Sequence, residues 1–196
     1  MKREIYGKYK GVQMDTNEIS KIILENYDIV EEIRNKYFDI ASSNKLNEFM
    51  SNVKTKLEKR LSQEWHVDIR AADTIRYFAP IIFYKYSWGD KEVMNLRLEF
   101  DSRNFLNPYI GLKYNESGNN KERIGINKER IKDIQAKFTL TEWKIGTTFA
   151  RWKWLKKDQF LREIIVNKYS ETELVNELIK MKNELEPLAD EITKLI

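Results

Sequence analysis

Cysteine is absent from this chain of 196 residues, which excludes disulfides, thiolate metal sites and cysteine nucleophiles. Histidine occurs once, at His66 in "QEWHVDIR", so no cluster of His and Cys ligands for zinc is available. A lone His beside Trp65 and Asp68 reads as an ordinary surface or hydrogen-bonded residue rather than a general base. Glycine and proline number only 7 and 3, and no low-complexity tract or internal repeat is visible. No run of about 18 apolar residues occurs, so no membrane-spanning helix is expected. The early basic residues of "MKREIYGKYK" have no apolar segment behind them, so a secretory signal is not expected either. There is no phosphate-cradling loop ending in Gly-Lys-Ser/Thr and no Gly-x-Ser-x-Gly elbow. These absences lead to the expectation of a cytoplasmic protein with no membrane association, no cofactor and no bound metal.

What the chain has is charge and apolar residues in folded proportions: 34% charged and 41% hydrophobic, net +4. The charge is uneven. Residues 66–157 carry 18 basic against 11 acidic side chains, whereas residues 158–196 carry 5 against 9. A basic middle segment is the electrostatic mark of a surface that meets anions.

Periodicity divides the chain into an arm and one α+β domain. Residues 1–14 show little pattern and read as a flexible arm. Residues 15–65 read as a helical hairpin: Ile19, Ile22, Ile23, Val30, Ile33 and Tyr37 stand near helical spacing, "ASSN" breaks the pattern, and Leu46, Phe49, Met50, Val53, Leu57 and Leu61 mark a second helix. Residues 66–157 read as an antiparallel sheet of about five strands, one face covered by helices and one face wet. Its strands are "APIIFYKYSW", "EVMNLRLEF", "YIGLKY", "EWKIG" and "FARWKWL", with "DSRNFLNP" and "NESGNN" as connections. A helix is expected after Asn127, an N-cap residue type, burying Ile131, Ile134 and Phe138. Residues 158–196 return to helix. "SETE" from Ser170 is a capping box opening a long helix. There Leu174, Leu178, Met181, Leu185, Leu188, Ile192 and Leu195 recur in a heptad seam, and Pro187 is expected to kink it. The seam either packs on the N-terminal hairpin or mediates a homodimer.

The order of these elements resembles the C-terminal accessory region of proteins in the PD-(D/E)XK nuclease superfamily of bacteria and phages. The residues that carry the likeness are Tyr37 and Ile40 before the second helix, the aromatic strand ending in Trp88, "LRLEF" followed by "YIGL", and Trp143, Trp152 and Trp154 before the closing helix. In that family the nuclease core precedes this region. The resemblance therefore implies a recognition module without an inherited active site.

Nuclease chemistry would need carboxylates for Mg²⁺ and a nearby lysine, in an acidic-x-Lys strand. The chain offers one such triplet, Glu142-Trp143-Lys144, as weak catalytic candidates. The stronger signal is a basic wet face on the sheet. Alternation places Lys85, Arg97, Tyr109, Lys113, Arg151 and Lys153 there, with Lys144 able to join, while Trp152 and Trp154 point together into the core. Cations neutralise phosphates and exposed rings stack on bases. The expected function is a small non-enzymatic module that binds nucleic acid or a nucleoprotein. The rival readings are a phage or mobile-element inhibitor of a host defence nuclease (anti-restriction or anti-CRISPR in type) and a metal-dependent nuclease.

Overall fold

The structure, a computed structural model, describes residues 16–32, 39–69, 78–89, 93–100, 107–114, 124–146, 148–155, 160–165 and 168–195. The expected N-terminal arm, most of "DSRNFLNP", the "NESGNN" loop, and Ile33 and Tyr37 lie outside them. The chain forms two compact units, Met1–Ala41 and Ser42–Ile196.

In the first unit the expected single helix is two: α1 (Thr16–Glu25) and α2 (Tyr27–Glu32). They part at Asn26, whose backbone N–H and side-chain Nδ2 both donate to the Ile22 carbonyl, at 3.1 and 2.9 Å. Asn offers the backbone such local alternatives and so punctuates helices. The apolar residues here are not buried: Ile19, Ile22, Ile23, Leu24, Tyr27 and Ile29 are all exposed. Helix α3 (Asp39–Glu58) contains "ASSN" rather than starting after it. Short polar residues suit a first turn as well as a break. Its residues Leu46, Phe49, Met50, Val53 and Leu57 enter the core of the second unit, as their spacing requires.

The second unit is α+β, built on a five-stranded antiparallel meander in the order β1-β2-β3-β4-β5. The strands are β1 (Trp65–Ile69), β2 (Phe78–Lys85), β3 (Met94–Phe100), β4 (Pro108–Tyr114) and β5 (Phe149–Trp154). "WHVDI" supplies an edge strand the alternation argument overlooked. "EWKIG" is reduced to one bridge, Lys144 to Trp152. The inner face carries Trp65, Val67, Ile81, Phe83, Met94, Leu96, Leu98, Ile110 and Leu112, all buried.

Helix α4 (Lys128–Lys137) lies between β4 and β5 in the chain, followed later by α5 (Phe160–Ile165) and α6 (Glu171–Thr193). The Ser170 capping box forms as expected: its hydroxyl accepts from Glu173 N–H, and the Glu173 carboxylate accepts from Ser170 N–H. The heptad residues Leu174, Leu178, Met181, Leu185, Leu188 and Ile192 are buried in the core shared with the sheet and α3. That burial leaves no such seam for a second copy, so the homodimer expected through it loses its basis. Pro187 stands inside α6 at an exposed position, where water can satisfy the carbonyl its missing N–H would have bound. Asn127 does mark the start of α4, but its side chain makes no cap bond there. Its Nδ2 donates to the Leu195 carbonyl at 2.9 Å instead, tying α4 to the end of the chain.

Candidate functional site

The outer face of the sheet is defined by which residues stand opposite one another. Tyr109 pairs with Trp154, Gly111 with Trp152, and Lys113 with Phe149. Asn95, Arg97 and Glu99 pair with Lys113, Gly111 and Tyr109 in turn. Partners across a ladder share a face. Trp152 and Trp154 therefore stand with Arg97, Tyr109 and Lys113, and the expectation that they enter the core is overturned. Trp154 is 40% exposed.

The register explains the reversal. Between Leu112 and Lys113 the β5 partner jumps from Arg151 to Phe149, so Ala150 is an extra residue in the ladder. Such a bulge lets adjacent residues that would point to opposite faces share one, and so puts alternate residues on either side of it on opposite faces. Ala150 and Arg151 go inward and are buried, while Phe149 and the tryptophans take the outer side.

Arg151 is thus not on the wet face. Its guanidinium reaches the end of α4 and donates to the Gln135 and Phe138 carbonyls at 2.7 and 3.3 Å. The last carbonyls of a helix lack intrahelical partners and carry the negative end of its dipole, so a buried cation is held there favourably. Burial holds this guanidinium below its ordinary pKa. Lys153 is also on the inner side, 4.2 Å from the Trp143 ring centroid and paired with Glu142 at 3.5 Å and Glu184 at 3.6 Å.

Lys85 is not on the wet face either. Opposite Trp65 on the inner face, it is buried between the rings of Trp65 and Trp88 and paired with Glu186, Asp190 and Glu64. Burial alone would lower this ammonium's pKa, but the three carboxylates outweigh it and hold it above the ordinary lysine value. Asp190 and Glu184 of α6 also accept from the indole N–H groups of Trp88 and Trp143, at 2.6 and 2.7 Å. The acidic face of the last helix thereby anchors cations and indoles of the inner layer.

Four of the expected residues do come together on the outer face: Arg97, Tyr109, Lys113 and Lys144. Tyr109 touches three rings edge to face, with centroids of Phe149, Trp152 and Trp154 at 5.6, 5.9 and 5.5 Å. Trp152 and Trp154 are perpendicular at 5.1 Å. Lys144 Nζ lies 5.1 Å from the Trp152 ring centroid and Lys113 Nζ 5.3 Å from that of Phe149. Gly111 makes this array possible, since a Cβ there would fall 2.8 Å from Phe149 Cδ1 and 2.9 Å from Trp152 Cβ.

Glu99 stands beneath the cations. Its Oε1 receives Arg97 Nη1 at 2.8 Å and Lys113 Nζ at 3.3 Å, and its Oε2 accepts from the Tyr109 hydroxyl. Burial alone would raise this carboxyl's pKa. The tyrosine hydroxyl, the guanidinium and the ammonium outweigh burial and hold it below the ordinary carboxylate value. Towards β2 this face is not wet, because Ile82, Asn95 and Glu99 are buried. At the β1 edge His66 packs between the rings of Tyr84 and Tyr86, at 5.5 and 3.8 Å.

The open part of the face continues into a groove of about 1080 Å³ between the aromatic array and helix α4. Tyr109, Phe149, Trp152 and Trp154 form one wall, and Lys128, Ile131 and Lys132 of α4 form the other. Sequence reading missed the lysines of α4. Their spacing of four residues was the available signal. Lys132 is paired with exposed Glu129 at 2.7 Å, a contact weak enough to be exchanged for another anion. Lys128 also acts on Glu129, helping Lys132 to hold that carboxyl below its ordinary pKa. Glu142 and Lys144, the weak catalytic candidates, diverge: the first meets Lys153 on the inner side and the second meets Trp152 on the outer. Among the described residues no three His, Asp or Glu side chains converge as a metal-holding group.

No protein-family model, curated protein or solved structure matches this chain. The resemblance to nuclease accessory regions therefore rests on the order of elements and the placement of aromatics alone.

Proposed function

We propose that this chain is a binding module for nucleic acid, alone or within a nucleoprotein, and that the groove between the β4–β5 aromatic array and helix α4 is where it binds. The observation that carries the reading is exposed Trp154, joined to Tyr109 and Trp152, facing Lys128 and Lys132 across one groove with Lys144 nearby. Rings and ammonium groups in one cleft match the two components of a nucleotide, a flat base and an anionic phosphate. The basic balance of residues 66–157 supports the same reading.

The test is fluorescence anisotropy with labelled DNA and RNA of mixed sequence across a salt series. Affinity should fall steeply as salt rises, because each phosphate neutralised releases a counterion. No change in anisotropy with either nucleic acid at low salt overturns the proposal.

A second reading, a protein-directed inhibitor of a host defence nuclease, draws support from the exposed Ile19, Ile22, Ile23, Leu24, Tyr27 and Ile29 of α1 and α2. Apolar surface of this kind is what a protein partner covers. Recovery of the same partner from a lysate before and after nuclease treatment would favour it.

A further inference from the structure

Resting on the nucleic-acid reading, we infer that the groove takes a single strand, with unpaired bases against the aromatic wall and the sugar–phosphate backbone along helix α4. The two walls differ in chemistry, and that difference fixes which part of the ligand goes where. One wall is rings: Tyr109, Phe149, Trp152 and Trp154, in contact with one another. Its apolar character continues at Ile145, 60% exposed at the groove. The opposite wall presents Lys128 and Lys132 from the same side of α4, one helical turn apart.

A duplex hides the faces of its bases in its own stack and offers a groove only phosphates and base edges. It could use Lys128 and Lys132 but would leave the tryptophans facing backbone. An unpaired strand satisfies both walls at once, since every base has a face to stack. Stacking on rings does not depend on which base is stacked, so this wall is tolerant of sequence. Stacking and phosphate contact are common to single-stranded DNA and RNA, and both belong in the test.

The experiment uses the full chain and labelled oligonucleotides of about 12 nucleotides, a length within the range single-strand grooves cover. Single-stranded DNA, single-stranded RNA, a duplex of the same sequence, and an abasic strand of equal charge are titrated at one salt concentration. Expected is binding to DNA or RNA single strands at least about tenfold tighter than to duplex or abasic strand, with quenching of tryptophan fluorescence. Trp154→Ala should weaken single-strand binding roughly 5- to 100-fold, and Trp154→Phe should restore most of it. Lys128→Gln with Lys132→Gln should lower the log–log salt slope by about 0.7 for each cation removed. Equal binding of abasic and normal strands, or of duplex and single strand, overturns the wall assignment while leaving the nucleic-acid reading in place. Failure of all four ligands at low salt overturns both. Thermal melts of each variant establish that the groove is still folded.

Discussion

The Tyr109 hydroxyl donates to the same Glu99 carboxylate that pairs with Arg97 and Lys113, so the aromatic array and the outer-face cations are tied through one buried acid. Glu99 neutralises Arg97 and Lys113 beside the aromatic wall, and their charge would otherwise add to the long-range field that attracts a polyanion. Glu99→Gln keeps an acceptor for Tyr109 and removes the charge. Binding at low salt should therefore tighten and its salt dependence steepen, while stability falls by about 2 kcal/mol from the lost charged hydrogen bonds. Anisotropy titrations and chemical denaturation measure the two effects. A variant that binds more weakly, with its fold intact, would show that Glu99 positions the cations rather than masking them.

Glu99 and Glu186 also set the acid limb of stability. Burial would raise both carboxyls, but Tyr109, Arg97 and Lys113 around Glu99, and Lys182 and Lys85 around Glu186, bring both below the ordinary value of 4.5. A depressed folded pKa contributes stability that is complete above the unfolded value and lost as pH falls through the folded one. The melting temperature should be insensitive to these groups near neutrality and should drop below about pH 4.5. Glu99→Gln should show a shallower drop. An acid limb as steep as the parent's would mean that Glu99 plays no part in it.

Lys85 and Lys144 separate a cation that holds the fold from one placed to meet a ligand. Lys85→Ala removes one of the two cations on Glu186, leaving Lys182 at 2.8 Å, and opens space between Trp65 and Trp88. A loss of about 1–2 kcal/mol of stability is expected, because Lys182 still compensates Glu186, with affinity for nucleic acid unchanged in the folded fraction. Lys144→Ala should do the reverse: little change in melting temperature and weaker binding, with a lower salt slope. Paired melts and titrations decide it. Loss of affinity in folded Lys85→Ala would return that lysine to the binding surface.

The helices and most of the sheet were legible because their signals are local. The Ser170 capping box and the spacing from Leu174 to Ile192 needed no knowledge of tertiary neighbours, and strict alternation located β3. Alternation also paired Trp152 with Trp154 and Arg151 with Lys153 correctly. It failed on which pair faces in, because polarity was used to decide. That choice depends on partners remote in sequence: the α4 carbonyls that receive Arg151, the Trp143 ring and Glu184 beside Lys153, and the helix α6 acids around Lys85. The Ala150 bulge carries no distinctive residue signal. "WHVDI" was readable, since Trp65, Val67 and Ile69 alternate, but the run is short.

Gly111 gives the most direct test of the groove's construction. A Cβ at this position would lie 2.4 Å from the Arg151 carbonyl oxygen, besides meeting Phe149 and Trp152. A backbone oxygen cannot swing aside as a side-chain tip can, so β4 and β5 would have to separate. Gly111→Ala should destabilise by about 1–3 kcal/mol, the usual range for overpacking. It should also weaken binding, because Trp152 and Trp154 ride on the strand that is displaced. Gly125 lines the same groove, but a Cβ there meets nothing within 4 Å. Gly125→Ala is therefore the matched control, with stability near that of the parent. Melting temperature, near-ultraviolet circular dichroism of the tryptophans and single-strand affinity should fall together in Gly111→Ala. A Gly111→Ala protein with parental dichroism and parental affinity would mean that the packing of Trp152 over β4 does not shape the site.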